Sequence, residues 1–255
     1  MIQINDKTIT CVGDIHGEFS SFRYKLNLYI NKYHVSNNIF IICGDCGFFG
    51  ENYDKQWFDF NCKKPQKSEL YKIINLLEIT NNYLYLFRGN HDNPFIFNDE
   101  YITKNKTNKI KVLNDYDILQ SNIYGNILII PGAFSIDRCG RTQNKDWWEE
   151  ETIKILSNEE LNKFNNINII LSHSLPFQIL PLSLYKMFKE EDNCYNFKIS
   201  FDENLNMQEN YLRKIFEIIS PKTWISGHYH KSFNQFFNKT KFISISIMEF
   251  YNLNY

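Results

Sequence analysis

Five short motifs in this 255-residue chain concentrate side chains that bind divalent metals. In order, they are Gly13-Asp14-Ile15-His16-Gly17, Gly44-Asp45, Arg88-Gly89-Asn90-His91-Asp92, Ser172-His173 and Gly227-His228-Tyr229-His230. They hold five of the six histidines, and only His34 lies outside them. Imidazole and carboxylate groups together are typical of transition-metal sites. The set predicts a metal centre that carries out metal-assisted phosphoester chemistry.

The number of candidate ligands indicates more than one metal. They are Asp14, His16, Asp45, Asn90, His173, His228 and His230. Seven ligands are too many for one zinc and fit two five- or six-coordinate metals that share a carboxylate. Gly44 allows a sharp turn that aims Asp45 at the site. We expect His228 and His230 to point the same way, because extended residues repeat every two positions.

The elements that must position these motifs are short apolar strands. Strand-like runs precede the motifs at residues 8–12, 39–43, 83–87, 167–171 and 223–226. Helical patterns at 19–32 and 68–78 separate the first three runs, which is typical of βαβ units and a parallel sheet. Since such sheets present their chemistry at the carboxyl ends of strands, the ligands are predicted to lie at strand ends.

The second half of the chain predicts shorter elements. Gly125-Asn126 predicts a hairpin between strands at 122–124 and 127–130. Asn206 is predicted to cap a helix at 207–219, and strands at 232–237 and 241–247 are predicted to pair antiparallel. Residues 175–205 lack clear periodicity and are predicted to form a cap or lid. We expect residues 1–255 to form a single domain, because no linker divides the chain.

Composition excludes several functional classes. Charge is balanced, with 28 Lys+Arg against 29 Asp+Glu, so no basic field indicates nucleic acid or a membrane surface. No apolar run approaches a membrane span and no signal peptide is evident, which predicts a cytoplasmic protein. Cys43 and Cys46 have C-x-x-C spacing, but Gly44-Asp45 lies between them and no second pair completes a zinc set. We interpret them as buried thiols in a reducing compartment.

The ordered motif series, from residue 13 to residue 230, resembles the calcineurin-like metallophosphoesterase superfamily. The resemblance implies a four-layer α/β/β/α sandwich with two facing mixed β-sheets and a dinuclear metal site at strand ends. It implies two divalent ions, Mn, Fe or Zn. One would be held by Asp14, His16, Asp45 and His230. Asp45 would bridge to the second, which Asn90, His173 and His228 would complete.

The resemblance also implies the catalytic groups. His91 would be the acid that protonates the leaving oxygen, and Asp92 or another carboxylate would orient it. The second motif continues as Cys46-Gly47-Phe48-Phe49-Gly50 and lacks the Val-Asp-Arg-Gly sequence of the Ser/Thr protein phosphatases. The chain is therefore not predicted to be a close relative of those enzymes. Residues 132–141 resemble a pattern in poorly characterised bacterial and phage phosphoesterases.

The predicted function is hydrolysis of a phosphomonoester or phosphodiester through a metal-bridging hydroxide. Candidate substrates are a phosphorylated small molecule, a nucleotide or a phosphoprotein. Arg88, Arg138 and Arg141 are candidates for binding the substrate, and residues 48–67, 137–151 and 175–205 are predicted to carry substrate choice. The alternative is a scaffold that keeps the fold without turnover. Filled ligand positions and the presence of His91 favour the enzyme.

Overall fold

A computed structural model of the protein describes residues 1–48, 66–95, 97–98, 107–135, 141–145, 147–184 and 198–253. Within these residues the strands are β1 (Ile2–Gln3), β2 (Thr8–Val12), β3 (Asn38–Cys43), β4 (Tyr83–Phe87), β5 (Ile110–Val112), β6 (Ile118–Ser121), β7 (Gly125–Ile130), β8 (Ile167–Ser172), β9 (Thr223–Ser226), β10 (Phe233–Phe237), β11 (Thr240–Ser244) and β12 (Phe250–Asn252). The helices in the same ranges are α1 (Phe19–Tyr33), α2 (Gln66–Ile79), α3 (Asn158–Leu161) and α4 (Lys198–Ile219). Short 3-10 turns lie at Glu149–Glu151 and Phe177–Ile179.

The described strands form two mixed sheets. One has the order β1-β6-β7-β8-β9-β11-β10, and the other has the order β12-β2-β3-β4-β5. Strands β2 to β5 run parallel in the smaller sheet, and β7, β8, β9 and β11 run parallel in the larger one. Because the motifs follow β2, β3, β4, β8 and β9, both sheets deliver ligands from the carboxyl ends of parallel strands.

Three layers of buried side chains hold the sheets and helices together. Strand β3 shows the division, because its residues alternate between two clusters. Phe40 and Ile42 pack with apolar residues of α1 and α2, whereas Ile39 and Ile41 pack between the two sheets. A third cluster packs α3 and α4 against the outer face of the larger sheet. The order of layers is α/β/β/α, which confirms the predicted fold class.

The hairpin in the second half differs from the prediction. Ser121 pairs with Gly125, so residues 122–124 form the turn, and Gly125 and Asn126 belong to β7. The Ser121 hydroxyl accepts hydrogen bonds from the backbone N–H groups of Ile123 and Tyr124, at 3.1 and 3.2 Å. A serine side chain that caps a turn in this way replaces the expected Gly-Asn turn.

Helix α4 begins earlier than predicted. It starts at Lys198, so Asn206 lies inside the helix and does not cap it. No proline or glycine lies between Lys198 and Ile219, and extending a helix costs less than nucleating one. Residues 185–197 of the predicted cap lie outside the described residues, as do 49–65 of the predicted loop. None of the helices in the described part of the chain combines the length and apolar character needed to cross a bilayer.

Candidate metal centre

The first group of ligand atoms gathers around Asp14, which follows β2. The Oδ2 atom of Asp14 lies 3.2 Å from Nε2 of His230 and 3.8 Å from Nε2 of His16. The Nε2 atoms of His16 and His230 lie 2.9 Å apart. Asp45 completes the group, with Oδ2 at 3.9 Å from Nε2 of His16. These four residues offer ligand atoms close enough together to hold one metal ion.

The second group shares Asp45 with the first. Oδ1 of Asp45 lies 3.2 Å from Nε2 of His173, and His228 adds a third ligand atom to this group. The side-chain oxygen of Asn90 lies 2.9 Å from the same Nε2 atom of His173. The two groups meet at one buried carboxylate, whose pKa is held well below its usual range. Burial opposes this shift, but the charge of His173 and its hydrogen bond to the carboxylate outweigh it.

The arrangement around His173 tests whether these residues fit a cation. Its Nδ1 atom lies 2.8 Å from the carbonyl oxygen of Cys43, so Nδ1 carries a proton. In the neutral ring, Nε2 would then point a lone pair at two oxygens, Asn90 Oδ1 and Asp45 Oδ1. Electron-rich atoms converge in this way when a cation lies among them. Without metal a proton takes that place: burial would lower the pKa of His173, but the Asp45 and Asp14 charges raise it to about 9.

Backbone turns, and not extended strands, aim the ligands. His16, Asp45, His228 and His230 all have positive φ, between 45° and 71°. The expectation that His228 and His230 point the same way as extended residues is therefore wrong. Strand β9 ends at Ser226, and the turn after it sends His228 to the second group and His230 to the first. Left-handed backbone outside glycine costs free energy and is typical of functional sites.

Glycines let these turns pack closely. A side chain on Gly89 would place its Cβ 2.1 Å from Oδ1 of Asp45, and one on Gly44 would place it 2.2 Å from Nδ1 of His173. Gly44 also has a φ of 91°, which favours glycine. The predicted sharp turn before Asp45 is thus present, and it leaves space for the ligand side chains of the other sheet.

His91 lies beside Asp45, and Arg141 lies beside His91. The backbone N–H of His91 donates to Asp45 Oδ1 at 2.8 Å, and its ring Nε2 lies 3.9 Å from Asp45 Oδ2. Arg141 Nη2 lies 3.0 Å from the same ring nitrogen. Burial and the Arg141 charge hold the pKa of His91 well below its usual range, although the Asp45 charge opposes them. The imidazole of His91 therefore lies next to the residue that joins the two metal-ligand groups, and the guanidinium of Arg141 lies next to that imidazole.

The family model for calcineurin-like phosphoesterases matches residues 7–232, which is most of the chain. The chain belongs to this family. Calcineurin-like phosphoesterases are hydrolases that act on phosphoesters with divalent metals, and the two ligand groups agree with that chemistry. A comparison with curated protein sequences gives no match.

Solved structures resemble the chain at low identity. The phosphopantetheinyl hydrolase of Mycobacterium tuberculosis is 12% identical, with 94% of this chain and 90% of that chain covered and a TM-score of 0.45. A putative 5'-nucleotidase of Staphylococcus aureus is 13% identical, with 94% and 48% covered and a TM-score of 0.40. The calcineurin-like phosphoesterase YfkN of Bacillus subtilis is 13% identical, with 95% and 81% covered and a TM-score of 0.37.

In this phosphoesterase the side chain of Asp92 is fully buried, and its carboxylate accepts hydrogen bonds from the backbone. Its Oδ1 accepts hydrogen bonds from the N–H groups of Gly47 and Phe48, and its Oδ2 accepts from those of Cys46 and Gly89. All four bonds are 2.7–3.0 Å long. Burial raises the pKa of Asp92 to about 6, and these N–H groups act against the shift. The contacts favour a role in joining the turns after β3 and β4, and the predicted role in orienting His91 stays a prediction.

The three candidate arginines have different surroundings. Arg141 lies at the site, as described above. Arg88 pairs with Asp115 at 3.1 Å and donates to the backbone oxygens of Glu151 and Thr152, at 2.8 and 3.1 Å. These contacts favour a structural role for Arg88, and its binding of substrate stays a prediction. Arg138 lies outside the described residues.

Two further residues support the ligand set and were not predicted from the sequence: Ser135 contacts Asn90, and Glu151 contacts Ser135. The Ser135 hydroxyl accepts a hydrogen bond from Nδ2 of Asn90 at 2.9 Å. The Glu151 carboxylate accepts one from the backbone N–H of Ser135 at 3.0 Å. Ser135 follows the apolar run Gly132-Ala133-Phe134, and a buried carboxyl such as Glu151 carries no signal in a sequence with three consecutive glutamates.

The cysteines near the site behave as buried apolar residues. Cys43 and Cys46 are free, and their thiols donate to the backbone oxygens of Ile41 and Phe87. Burial raises the pKa of both thiols well above the usual value, so they are poor nucleophiles and poor metal ligands. This agrees with the interpretation of Cys43 and Cys46 as buried thiols.

Proposed function

We propose that the chain is a dinuclear metal-dependent phosphoester hydrolase. The observation that carries the proposal is the meeting of two metal-ligand groups at a single carboxylate, Asp45. A shared carboxylate between two imidazole-containing groups is the arrangement that two-metal hydrolases use. We assign Asp14, His16, Asp45 and His230 to one metal. We assign Asp45, Asn90, His173 and His228 to the other.

The bound metals would lower the pKa of water and offset charge on the phosphoryl oxygens, which is the chemistry two cations supply in such sites. The chain itself positions the substrate and moves protons. His91 is the proposed general acid for the leaving oxygen. Arg141 is proposed to bind a phosphoryl oxygen, because its guanidinium already lies within hydrogen-bonding distance of His91. An anion held by Arg141 would also favour protonation of His91, whose pKa is low in the free protein.

The substrate is proposed to be a phosphorylated small molecule, a nucleotide or a phosphoprotein, with either one or two ester bonds at phosphorus. Arg88 and Arg138 stay candidates for binding it. Substrate choice is assigned to residues 48–67, 137–151 and 175–205. The first and last of these segments follow β3 and β8, and the middle one contains Arg141, which lies beside His91. We further propose that residues 1–255 act as one domain, and the buried free thiols support a reducing compartment such as the cytoplasm.

A substrate panel tests the proposal. Chelator-treated protein is reloaded with Mn²⁺ and assayed on p-nitrophenyl phosphate, bis-p-nitrophenyl phosphate and a set of cyclic nucleotides. Metal-dependent turnover of any member supports the hydrolase, and the preferred member separates monoester from diester chemistry. Tight metal binding without turnover on the whole panel would favour the alternative, a scaffold that keeps the fold. Binding of one metal per chain, or none, would contradict the dinuclear assignment.

A matched pair of variants guards against a contaminating phosphatase. Asp45→Asn removes the shared carboxylate and should abolish metal-dependent turnover. Asp6→Asn makes the same chemical change at an exposed position and should leave turnover unchanged. If both variants keep the activity of the unmodified protein, the measured hydrolysis does not come from this site.

A further inference from the structure

Asn90 is the candidate ligand whose chemistry depends on how its side chain is turned. Its amide oxygen can bind a cation, whereas its NH₂ group, a donor, cannot. The side chain is buried, with 2% of its surface exposed. The oxygen lies 2.9 Å from His173 Nε2, and the NH₂ group donates to the Ser135 hydroxyl at 2.9 Å. Turning the amide over would therefore replace the ligand oxygen with a donor.

Ser135 selects one of these two orientations. Its backbone N–H donates to Oε1 of Glu151 at 3.0 Å. Burial raises the pKa of Glu151 to about 7, and a side-chain hydrogen bond from Ser135 favours the ionised carboxylate. A hydroxyl has a single proton to donate. When Glu151 is ionised and receives that proton, the Ser135 oxygen can only accept a hydrogen bond. The group that faces it must then be the NH₂ of Asn90, which leaves the amide oxygen toward the second metal-ligand group.

Glu151 is itself held in place from several directions. It is fully buried, and its Oε2 accepts a hydrogen bond from the backbone N–H of Trp148 at 3.3 Å. Its backbone oxygen accepts from Arg88 Nη1 at 2.8 Å and from the N–H of Ala133 at 3.1 Å. Arg88 precedes Asn90 by two residues, so the contacts form a closed ring through Arg88, Glu151, Ser135 and Asn90. Such a ring leaves the carboxylate little freedom to move away from Ser135.

We propose that Ser135 and Glu151 are positioning residues that keep the Asn90 amide oxygen turned toward the second metal and so set the affinity for that metal. The inference rests on the proposed dinuclear function. Partners of this kind fix the orientation of metal ligands, and their loss typically lowers metal affinity about 10- to 100-fold. The effect is specific to one of the two groups, because Asn90 contributes to the second group alone.

The first test is Ser135→Ala, measured by calorimetric titration of chelator-treated protein with Mn²⁺ at pH 8. We expect one equivalent to bind as in the unmodified protein and the second to bind about 10- to 100-fold more weakly. Ser135→Thr keeps the hydroxyl and should restore much of the second affinity. Ser121→Ala is the matched control: it removes another buried hydroxyl, in the β6–β7 turn, and should leave both affinities unchanged.

The second test uses Asn90→Asp as a background. A carboxylate presents oxygen in either orientation, so its ligand atom no longer depends on Ser135. Adding Ser135→Ala to Asn90→Asp should therefore change the second affinity by less than about threefold, compared with 10- to 100-fold in the native background. This non-additivity would not arise if Ser135 merely supported the fold.

Several results would overturn the inference. Two equivalents bound by Ser135→Ala with unchanged affinities would show that the hydroxyl does not orient Asn90. Equal weakening of both equivalents, or equal losses in the two backgrounds, would indicate a general structural role. Failure of the unmodified protein to bind two metals would instead contradict the proposed function, and the titration of that protein shows this separately.

Discussion

The guanidinium of Arg141 lies 3.0 Å from Nε2 of His91, although the two residues are 50 positions apart in the sequence. Arginine donates hydrogen bonds and accepts none, so His91 must accept at Nε2 and carry its ring proton at Nδ1. Burial, helped by the positive charge of Arg141, holds the pKa of His91 well below its usual range, so the imidazole is neutral in the free protein. The pair can therefore respond to an anion. The anion would accept hydrogen bonds from Arg141, and Nε2 of His91 would then be available to take a proton.

Replacement of Arg141 should affect every phosphoester. For Arg141→Ala we expect kcat/KM to fall about 10²–10³-fold, the usual effect of removing one electrostatic donor from an active site. The fall in kcat/KM should be the same for small aryl phosphates and for larger substrates. Arg213→Ala, at an exposed helical pair with Glu217, is the control and should have no effect. Loss confined to larger substrates would place Arg141 on a distal part of the substrate, away from the reacting phosphate.

Replacement of His91 should separate metal binding from turnover. We expect His91→Ala to keep both metals, measured by elemental analysis, while kcat falls about 10²–10⁴-fold. The loss should be smaller for p-nitrophenyl phosphate, because its leaving group needs no proton. His34→Asn is the control. It removes the histidine outside the motifs, and asparagine tolerates the left-handed conformation that His34 has at the end of α1. A His91→Ala protein without metals would disprove the assignment.

Asp45 and Asp92 should differ sharply when each is replaced by asparagine. Asp45→Asn should lose both metals, because it weakens both ligand groups, and should still fold. Asp92→Asn should fold poorly, because its NH₂ group would face two of the four N–H donors that the carboxylate now binds. The cost is roughly 3 kcal/mol or more in the free energy of unfolding, measured with urea on metal-free protein. Normal stability of Asp92→Asn combined with lost turnover would favour a catalytic role.

Metal binding should depend on pH through His173. Its pKa is raised from 6.5 to about 9 in the metal-free fold, because nearby carboxylates outweigh the effect of burial. A raised histidine pKa stabilises the metal-free fold fully below about pH 6.5, and this contribution is lost as the pH rises toward 9. Metal must displace the proton, so apparent metal affinity should rise across the same range. Calorimetry in buffers of different ionisation enthalpy should detect proton release, and its absence at pH 7.5 would contradict this pKa.

Much of the fold could be predicted because the signals are local. Strand β3 is an unbroken apolar run ending at a Gly-Asp turn, and α1 repeats Phe22, Leu26 and Ile30 at helical spacing. Strands β1 and β12 were not predicted, since two or three residues are too few for a recognisable period. The start of α4 was missed because the preceding prolines and acidic residues obscured its pattern.

The candidate site, like the fold, could be predicted from the sequence only in part. Ligand types and their order along the chain were readable from the motifs, and the structure brings all seven candidates and His91 to one edge of the sandwich. Contacts that depend on pairing distant segments were not readable. Glu151 meets Ser135 only because the 3-10 turn at Glu149–Glu151 packs against the segment that follows β7. The carboxylate of Asp92 reaches backbone 44–46 positions away, which no spacing rule predicts.

The left-handed backbone at His16, Asp45, His228 and His230 has a consequence for anyone who wishes to move this site into another protein. Grafting the seven side chains onto regular strand ends of a new scaffold would leave these four aimed elsewhere. The transplant must carry the turns, including the glycines at 44 and 89 that let the two sheets approach each other. Conversely, a redesign that keeps those turns can exchange the surrounding loops, and with them the substrate, without rebuilding the metal geometry.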